Sequence, residues 1–268
     1  MERQESMILE EIAEKTKTRI ESEKRRLPLA QLKAMAGELP IHRSRVEYPF
    51  EKALLKNGMS FICEVKKASP SKGVIAERFP YREIAEQYEK AGADAISVLT
   101  EPFYFQGSDE YLREIRDTVN IPLLRKDFTV DEYMIYQAKL MGADAVLLIC
   151  AILSDMQLQE YAGLARDLGL SALVEAHDED EVGRALKSGA GIVGVNNRNL
   201  KDFTVDITNS VRLRRLVPKE VLFVSESGMK TREDIARLEE NGTNAVLIGE
   251  SLMRSADKAA MLRQLSGR

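Results

Sequence analysis

The chain has 268 residues, of which 44% are hydrophobic and 31% charged, and its formal net charge is −4. This composition indicates a soluble globular protein with one large core, without the general basic surface that suits nucleic acid or an anionic membrane. The longest apolar run, residues 145–153, is too short to span a bilayer, and charges interrupt the N-terminus where a secretory signal is apolar. Cys63 and Cys150 both lie in apolar runs, which favours buried cysteines in a reducing, cytoplasmic protein over a disulfide or a metal site.

The N-terminal segment predicts three helices, at residues 2–26, 29–39 and 49–56. Apolar residues recur among dense charges in the first of them, and Pro28 separates it from the second. We interpret residues 1–58 as an extension that forms a lid over one end of the following domain, although a solubilising appendage would give the same pattern. His42, Arg43 and Arg45 follow the second helix, and their basic side chains would suit a lid over an anion.

Beyond this segment, short apolar runs alternate with helical segments. The candidate strands are residues 61–66, 95–99, 121–126, 145–150, 171–175, 192–196, 221–225 and 245–248. Gly92, Gly142 and Gly242 precede strands and supply the left-handed cap that ends a helix. Eight strand–helix units predict an α/β fold, a (β/α)8 TIM barrel, with residues 1–268 as a single domain. The alternative is an open doubly wound sheet, which usually has a glycine-rich first turn, whereas residues 69–71 are Ser-Pro-Ser.

The C-terminal ends of the predicted strands carry polar side chains. Parallel strands present these ends at one edge of a barrel, where active sites lie. Glu64 and Lys66 end the first strand two residues apart, so they point to the same face. We therefore expect the strand ends to converge on one site. The other polar strand ends are Thr100, Glu101, Lys126, Glu175, Asn196, Arg198, Glu226 and Ser227.

Lys126 and Glu175 are the candidates for acid–base chemistry. Each lies two residues after a leucine of its strand, Leu124 or Leu173, and points inward if that leucine does. Because the chain has only two histidines, proton transfer rests mainly on lysine and glutamate. The alternative is a structural ion pair, between Lys126 and either Asp127 or a nearby glutamate.

Glycines after the last two strands predict a phosphate site. Gly228 and Gly249 would let backbone N–H groups approach an anion, and a short helix beginning at Ser251 would direct its N-terminus to it. Barrels often bind phosphate at these two loops, and Ser69 in the first loop is a further donor. The residues therefore predict a small phosphate-bearing substrate handled by lysines and glutamates, with neither a metal cluster nor a nucleotide loop.

These strand-end motifs resemble those of the indole-3-glycerol phosphate synthases of tryptophan biosynthesis. The likeness covers nearly the whole chain, and the three N-terminal helices resemble that family's extension. The motifs are residues 64–73, 99–101 with 104–108, 124–128, 173–175, 195–200, 225–228 and 248–253.

The resemblance implies a carboxy-lyase that needs no cofactor and converts 1-(2-carboxyphenylamino)-1-deoxyribulose 5-phosphate to indole-3-glycerol phosphate, carbon dioxide and water. Lys126 matches the family's general acid and Glu175 its general base. Lys66 would steer the substrate carboxylate, and Glu64 would hold the lysines in place. The other implied contacts are catalytic or orienting contacts from Asn196, Ser227, Arg198 and Glu226, an aromatic sandwich by Phe105 and Phe128, and phosphate contacts from Ser69, Gly228, Gly249 and Glu250.

Two other functions fit parts of the pattern. An aldolase would use Lys126 to form a Schiff base with a ketone. A catalytically inactive barrel that binds a partner would keep the fold, but it predicts the loss of strand-end charges, which are present here. We expect a cytoplasmic monomer whose partner is a small phosphosugar–anthranilate substrate, rather than nucleic acid or a membrane.

Overall fold

Eight parallel strands close into a barrel, in which each strand pairs with the next along the chain and the last pairs with the first. The geometry comes from a computed structural model that describes residues 7–39, 48–199 and 203–267. The (β/α)8 barrel predicted from the sequence is confirmed, and each strand bound lies within two residues of its predicted position. The strands are β1 (Ser60–Val65), β2 (Ala95–Leu99), β3 (Leu123–Lys126), β4 (Ala145–Ile149), β5 (Ser171–Ala176), β6 (Ile192–Asn196), β7 (Leu222–Glu226) and β8 (Ala245–Ile248).

Helices precede the barrel and follow its strands. Asp131 and Asp178 begin two of them by accepting hydrogen bonds from backbone N–H groups of the first turn. Gly92, Gly142 and Gly242 adopt positive φ angles of 89°, 79° and 80° where helices end, as their positions predict. The helices are α1 (Met7–Arg26), α2 (Leu29–Glu38), α3 (Pro49–Leu54), α4 (Tyr81–Lys90), α5 (Asp109–Arg116), α6 (Glu132–Leu140), α7 (Asp155–Asp167), α8 (Glu179–Lys187), α9 (Thr208–Arg214), α10 (Arg232–Glu240), α11 (Glu250–Arg254) and α12 (Lys258–Ser266).

Alternate side chains of the strands fill the barrel interior. Leu124 and Leu173 belong to the inner apolar cluster, whereas their chain neighbours Leu123 and Val174 pack outward among the helices. This alternation follows from the two-residue repeat of a strand. Any side chain two residues beyond an inner leucine therefore also faces the barrel axis, one layer nearer the C-terminal end of the strands.

Two N-terminal helices cover the ends of this interior. Phe50 and Leu54 of α3 join the inner cluster beside the start of β1, where Ser60 donates a hydrogen bond to the carbonyl oxygen of Ala53. Ile12 of α1 joins the same cluster from the opposite end. The barrel core is therefore continuous with the N-terminal segment at both ends.

Polar contacts fix α1 to loops at the C-terminal ends of the strands. Arg19 Nη2 lies 2.9 Å from Oδ2 of Asp127, whose side chain is fully buried. Lys24 Nζ lies 2.7 Å from Asp131 Oδ2 at the start of α6. Because an unpaired buried carboxylate is costly, the pairing of Arg19 with Asp127 ties the position of α1 to that of the loop after β3.

Some elements differ from the sequence-based predictions. Ala68–Ser69 and Gly73–Val74 form a two-stranded hairpin, and strands of two residues give no periodic signal. The last helix, α12, was not predicted, and α11 begins at Glu250 rather than at Ser251. The three basic residues expected near an anion, His42, Arg43 and Arg45, lie outside the described residues. Within the described ranges, no helix is long and apolar enough to cross a membrane.

Candidate active site

A cavity of about 620 Å³ opens at the C-terminal ends of the strands. Three apolar residues of α1, Ile8, Leu9 and Ile12, form part of its wall. Every residue to which the family resemblance assigns a role lines it: Glu64, Lys66, Ser69, Phe105, Lys126, Phe128, Glu175, Asn196, Arg198, Glu226, Ser227, Gly228, Gly249 and Glu250.

Lys126 lies in this cavity between two glutamates. It shares the inward face of β3 with Leu124, as the strand alternation predicts. Its ammonium Nζ is 3.1 Å from Glu175 Oε2 and 3.5 Å from Glu226 Oε2. Burial lowers the pKa of Lys126, but the neighbouring carboxylates, led by Glu175, outweigh burial and raise that pKa above its usual range. The ammonium therefore keeps its proton at neutral pH.

The two carboxyl groups beside Lys126 differ in their protonation state. Burial raises the pKa of Glu175, but Lys126 and His177 outweigh burial and hold it below its usual range. Burial raises the pKa of Glu226 to about 8, with a further contribution from Glu175 that Lys126 opposes. One ammonium cannot compensate two buried carboxylates at once. At neutral pH, Glu175 is therefore ionised and Glu226 is protonated.

Gly194 provides the space that Glu226 occupies. A Cβ atom on Gly194 would collide with Glu226 Oε1 and lie 3.0 Å from the side chain of Leu173. Glu226 Oε1 is buried and has no hydrogen-bond partner among the described residues. A glycine inside a strand often marks such a close approach, and here it lets a carboxyl group enter the barrel wall.

Glu64 and Lys66 form an ion pair on one face, as their spacing predicts. Gly249 lies against this pair, because a Cβ atom there would collide with the Glu64 carboxylate and lie 3.0 Å from Lys66 Nζ. The glycine after β8 therefore does more than form a turn. It allows the Glu64–Lys66 pair to lie against the backbone of the last βα loop.

Glu250 lies among cations at the rim of the cavity. Its Oε1 is 3.3 Å from Arg254 Nε and 4.0 Å from Lys72 Nζ. Its Oε2 is 3.8 Å from Arg198 Nη2. The carboxylate is therefore compensated by residues from three different segments, while its own backbone N–H begins α11.

Backbone geometry in the loop after β7 is unusual. Ser227 has a φ of 68°, and Gly228 follows with a φ of 99°. Left-handed backbone is uncommon for serine, and such strain often accompanies a functional site. Asn197 stabilises this turn by donating a hydrogen bond of 3.0 Å from its amide to the carbonyl oxygen of Ser227.

Phe105 and Phe128 meet at the cavity wall. Their ring centroids are 6.0 Å apart and their planes are inclined by 40°. A third ring sandwiched between two others needs about 7 Å between the outer rings, because each face-to-face contact takes about 3.5 Å, and all three rings must be nearly parallel. The sandwich around a third ring, which the resemblance implies, therefore does not fit at this spacing.

Comparison with known proteins places the chain in a family. The family model described as indole-3-glycerol phosphate synthase matches residues 9–265. The chain belongs to the indole-3-glycerol phosphate synthase family.

Curated relatives support this placement over nearly the full length. The indole-3-glycerol phosphate synthase of Ruminiclostridium cellulolyticum is 58% identical over 261 residues, which are 97% of this chain and 99% of the relative. That of Lachnoclostridium phytofermentans is 53% identical over 267 residues, 97% of this chain and 98% of the relative. The chain is therefore a decarboxylating lyase of tryptophan biosynthesis that closes the indole ring.

A solved structure shares the fold at low sequence identity. A mutant tryptophan synthase α-subunit from Pyrococcus furiosus superposes with a TM-score of 0.60 at 16% identity, covering 78% of this chain and 98% of that one. This likeness supports the barrel architecture and nothing further.

The polar residues at the end of β2 do not face the site, although we expected every polar strand end to do so. Glu101 is fully buried, and its carboxylate accepts hydrogen bonds of 2.7–2.9 Å from three successive backbone N–H groups, those of Phe103, Tyr104 and Phe105. Thr100 donates a hydrogen bond of 2.7 Å to Asp127. In this member of the indole-3-glycerol phosphate synthase family, the two residues build the loop that carries Phe105 and do not line the cavity.

Two residues near the site were not predicted. Arg19 reaches the loop after β3 from α1, and the sequence gives no signal for a contact across 108 residues. His177 Nε2 lies 3.4 Å from Glu175 Oε1. The spacing of His177 and Glu181 on the following helix could have suggested a local pair, but not the approach to Glu175.

Proposed function

We propose that the cavity binds 1-(2-carboxyphenylamino)-1-deoxyribulose 5-phosphate, with Lys126 as general acid and Glu175 as general base of the ring closure. The observation that carries this proposal is the contact between the Lys126 ammonium and the ionised Glu175 carboxylate inside the cavity. The protonated and deprotonated partners that the two proton transfers require are therefore both in place.

Lys126 and Glu175 each transfer one proton in the proposed reaction. The ring carbon that bears the carboxylate attacks the ketone carbon, and Lys126 gives its proton to the oxygen that develops negative charge. Carbon dioxide then leaves, and the electrons of its bond return to the aromatic ring. In the final step the hydroxyl group takes a proton from Lys66 and leaves as water, while Glu175 takes up a proton from the adjacent CH2 carbon, so that the C=C bond of the indole ring forms. Asn196 supports the base because its amide lies 3.4 Å from Glu175 Oε1.

The other charged groups would orient the substrate. Lys66 would attract the substrate carboxylate, and its pairing with Glu64 holds the ammonium at the cavity wall. Arg198, Glu226 and Ser227 line the same space and would contact the carboxylate or the hydroxyl groups. A protonated Glu226 would act as a hydrogen-bond donor, which an ionised carboxylate cannot do.

The phosphate would bind at the loops after β1, β7 and β8. Ser69 would contribute its hydroxyl group, and Gly228, Gly249 and Glu250 their backbone N–H groups. The Glu250 side chain is directed to Arg254, Arg198 and Lys72, so its charge is compensated while its backbone stays available.

The anthranilate ring would pack on the cavity side of Phe105 and Phe128. Because the centroids of these rings are 6.0 Å apart, the anthranilate ring would stack on one face of the pair rather than between the two rings. Apolar residues of α1 would complete this contact, consistent with a lid role for residues 1–58.

Indole formation followed by fluorescence tests the roles of Lys126 and Glu175. In the presence of a metal chelator, the wild type should turn over the carboxyphenylamino-deoxyribulose phosphate. Lys126→Ala and Glu175→Gln should each lose at least about 100-fold in kcat. Lys187→Ala, an exposed change on α8, is the matched control. Near-normal kcat in Lys126→Ala would remove the general-acid assignment.

The same lysine could instead form a Schiff base, which is the aldolase alternative. A nucleophilic lysine needs a lowered pKa, whereas the carboxylates beside Lys126 raise it. Borohydride should therefore not trap substrate on Lys126, and mass spectrometry of the treated protein checks this. The monomer and the cytoplasmic location stay predictions, which the solution mass and cell fractionation test.

A further inference from the structure

His177 lies behind Glu175, on the side away from the cavity. It follows β5 and does not line the cavity, and its side chain is 17% exposed. The imidazole ring is held between two carboxylates, that of Glu175 and that of Glu181 from α8. The ring is therefore placed to act on Glu175 without touching the substrate.

The contacts of the ring determine where its protons are. Nδ1 lies 3.0 Å from Glu181 Oε2, and the same oxygen accepts a hydrogen bond of 2.8 Å from the His177 backbone N–H. A carboxylate can only accept hydrogen bonds, so Nδ1 carries a proton. Nε2 is buried with no hydrogen-bond partner among the described residues, and it faces Glu175 Oε1 at 3.4 Å.

An ionised Glu175 therefore favours a proton on Nε2 as well, because a bare ring nitrogen would repel the carboxylate oxygen. With protons on both nitrogens, the ring is a positively charged imidazolium.

Charges on the surrounding elements support this state. The carboxylates that act on the ring at neutral pH are Glu175 on β5 and Glu181 on α8, and Glu226 on β7 adds a longer-range charge only when it ionises at higher pH. The positive charge of Lys126 on β3, on the far side of Glu175, acts in the other direction and disfavours a charge on the ring. Burial lowers the pKa of His177, but the hydrogen bond to Glu181 and the charge of Glu175 outweigh burial and raise it. On α9 the Asn209 amide donates to the backbone oxygen of His177 and brings no charge.

We propose that His177, as an imidazolium held by Glu181, is a positioning residue that fixes Glu175 Oε1 and keeps the carboxylate ionised for proton uptake. Lys126 contacts Oε2, so the two cations hold the two oxygens of the carboxylate from opposite sides. This inference rests on the proposed role of Glu175 as the general base.

Nitrogen NMR of histidine tests the charge state without reference to turnover. The chain has two histidines, so a His42→Gln variant labelled with 15N-histidine reports His177 alone. At pH 7 both ring nitrogens should show imidazolium shifts, and the titration midpoint should lie above the ordinary value of about 6.5. Glu175→Gln and Glu181→Gln should each move the midpoint down. A neutral ring at pH 7, or a midpoint that Glu175→Gln leaves unchanged, would overturn the inference.

The pH profile of turnover tests the positioning role. His177→Asn keeps a hydrogen-bond donor toward Glu181 but cannot take a positive charge. Loss of the charge raises the pKa of Glu175, so the acidic limb of the kcat profile should move to higher pH by about one pH unit, with KM changed less than twofold. His177→Gln is the second variant, and it should show the same shift.

A purely structural role predicts lower stability with an unshifted limb, which would refute the positioning role. The two proposals also fail in different ways. If Glu175→Gln keeps its turnover, the base assignment fails. If Glu175→Gln is inactive and both His177 variants keep the wild-type limb, only the present inference fails.

Discussion

Glu226→Gln should stabilise the protein, and the gain should grow as the pH rises. Glu226 is 2% exposed, and one of its carboxyl oxygens has no hydrogen-bond partner among the described residues. Glutamine has nearly the same shape and fits the space beside Gly194. Its amide oxygen can take the place of Oε2 beside Lys126, and the amide group does not titrate.

The size of the gain follows from the pKa of Glu226. Burial raises that pKa from 4.5 to about 8, so between these pH values the unfolded chain is ionised while the folded protein keeps a proton. A carboxyl group with a raised pKa lowers the free energy of unfolding by about 1.4 kcal/mol for each pH unit in this window. The cost is absent below pH 4.5, reaches up to about 3 kcal/mol at pH 7, and stays constant above pH 8.

Urea unfolding at pH 5 and at pH 8 measures this difference. The free energy of unfolding of Glu226→Gln should exceed that of the wild type by less than about 1 kcal/mol at pH 5 and by several kcal/mol at pH 8. Glu160→Gln, an exposed change on α7, is the matched control and should show no such trend. An equal effect of Glu226→Gln at both pH values would refute the protonated state of Glu226 in the folded protein.

Two further substitutions test the supports of the site. Arg19→Met should lower the free energy of unfolding by about 3 kcal/mol, because it removes the closest ion-pair partner of the buried Asp127. Urea unfolding measures this loss, and a loss below about 1 kcal/mol would contradict the role of the pair. Gly249→Ala should reduce kcat/KM by roughly 100-fold, because the added methyl group displaces Glu64 and Lys66. The far-UV circular dichroism should stay unchanged. Wild-type kinetics in this variant would show that the close approach of Gly249 to the ion pair is unimportant.

The barrel and the inward-facing candidates could be predicted because both follow from the two-residue repeat of a strand. Leu124 and Leu173 must face the core, so Lys126 and Glu175 two residues later must face the same axis, whatever the loops do. The glycines before the strands marked the helix ends for a similarly local reason.

Contacts between distant segments could not be predicted. Glu101 looked like its counterparts at other strand ends, but its carboxylate folds back onto the next loop, which only the loop conformation determines. The charge of Glu226 depends on Lys126 and Glu175, which lie on other strands. The position of His177 relative to Glu175 also depends on how the chain leaves β5. In each case the deciding quantity is a distance through space.

The anchoring of α1 has a consequence for the order in which the protein folds. Arg19 is synthesised early, but its partner Asp127 follows 108 residues later. A single amphipathic helix of 20 residues is marginal in water by itself, and closing so long a loop costs more entropy than pairing adjacent βα units. We therefore expect the helix to dock after the neighbouring strands have paired. Until it docks, the cavity lacks one wall, so turnover should return later than barrel secondary structure during refolding.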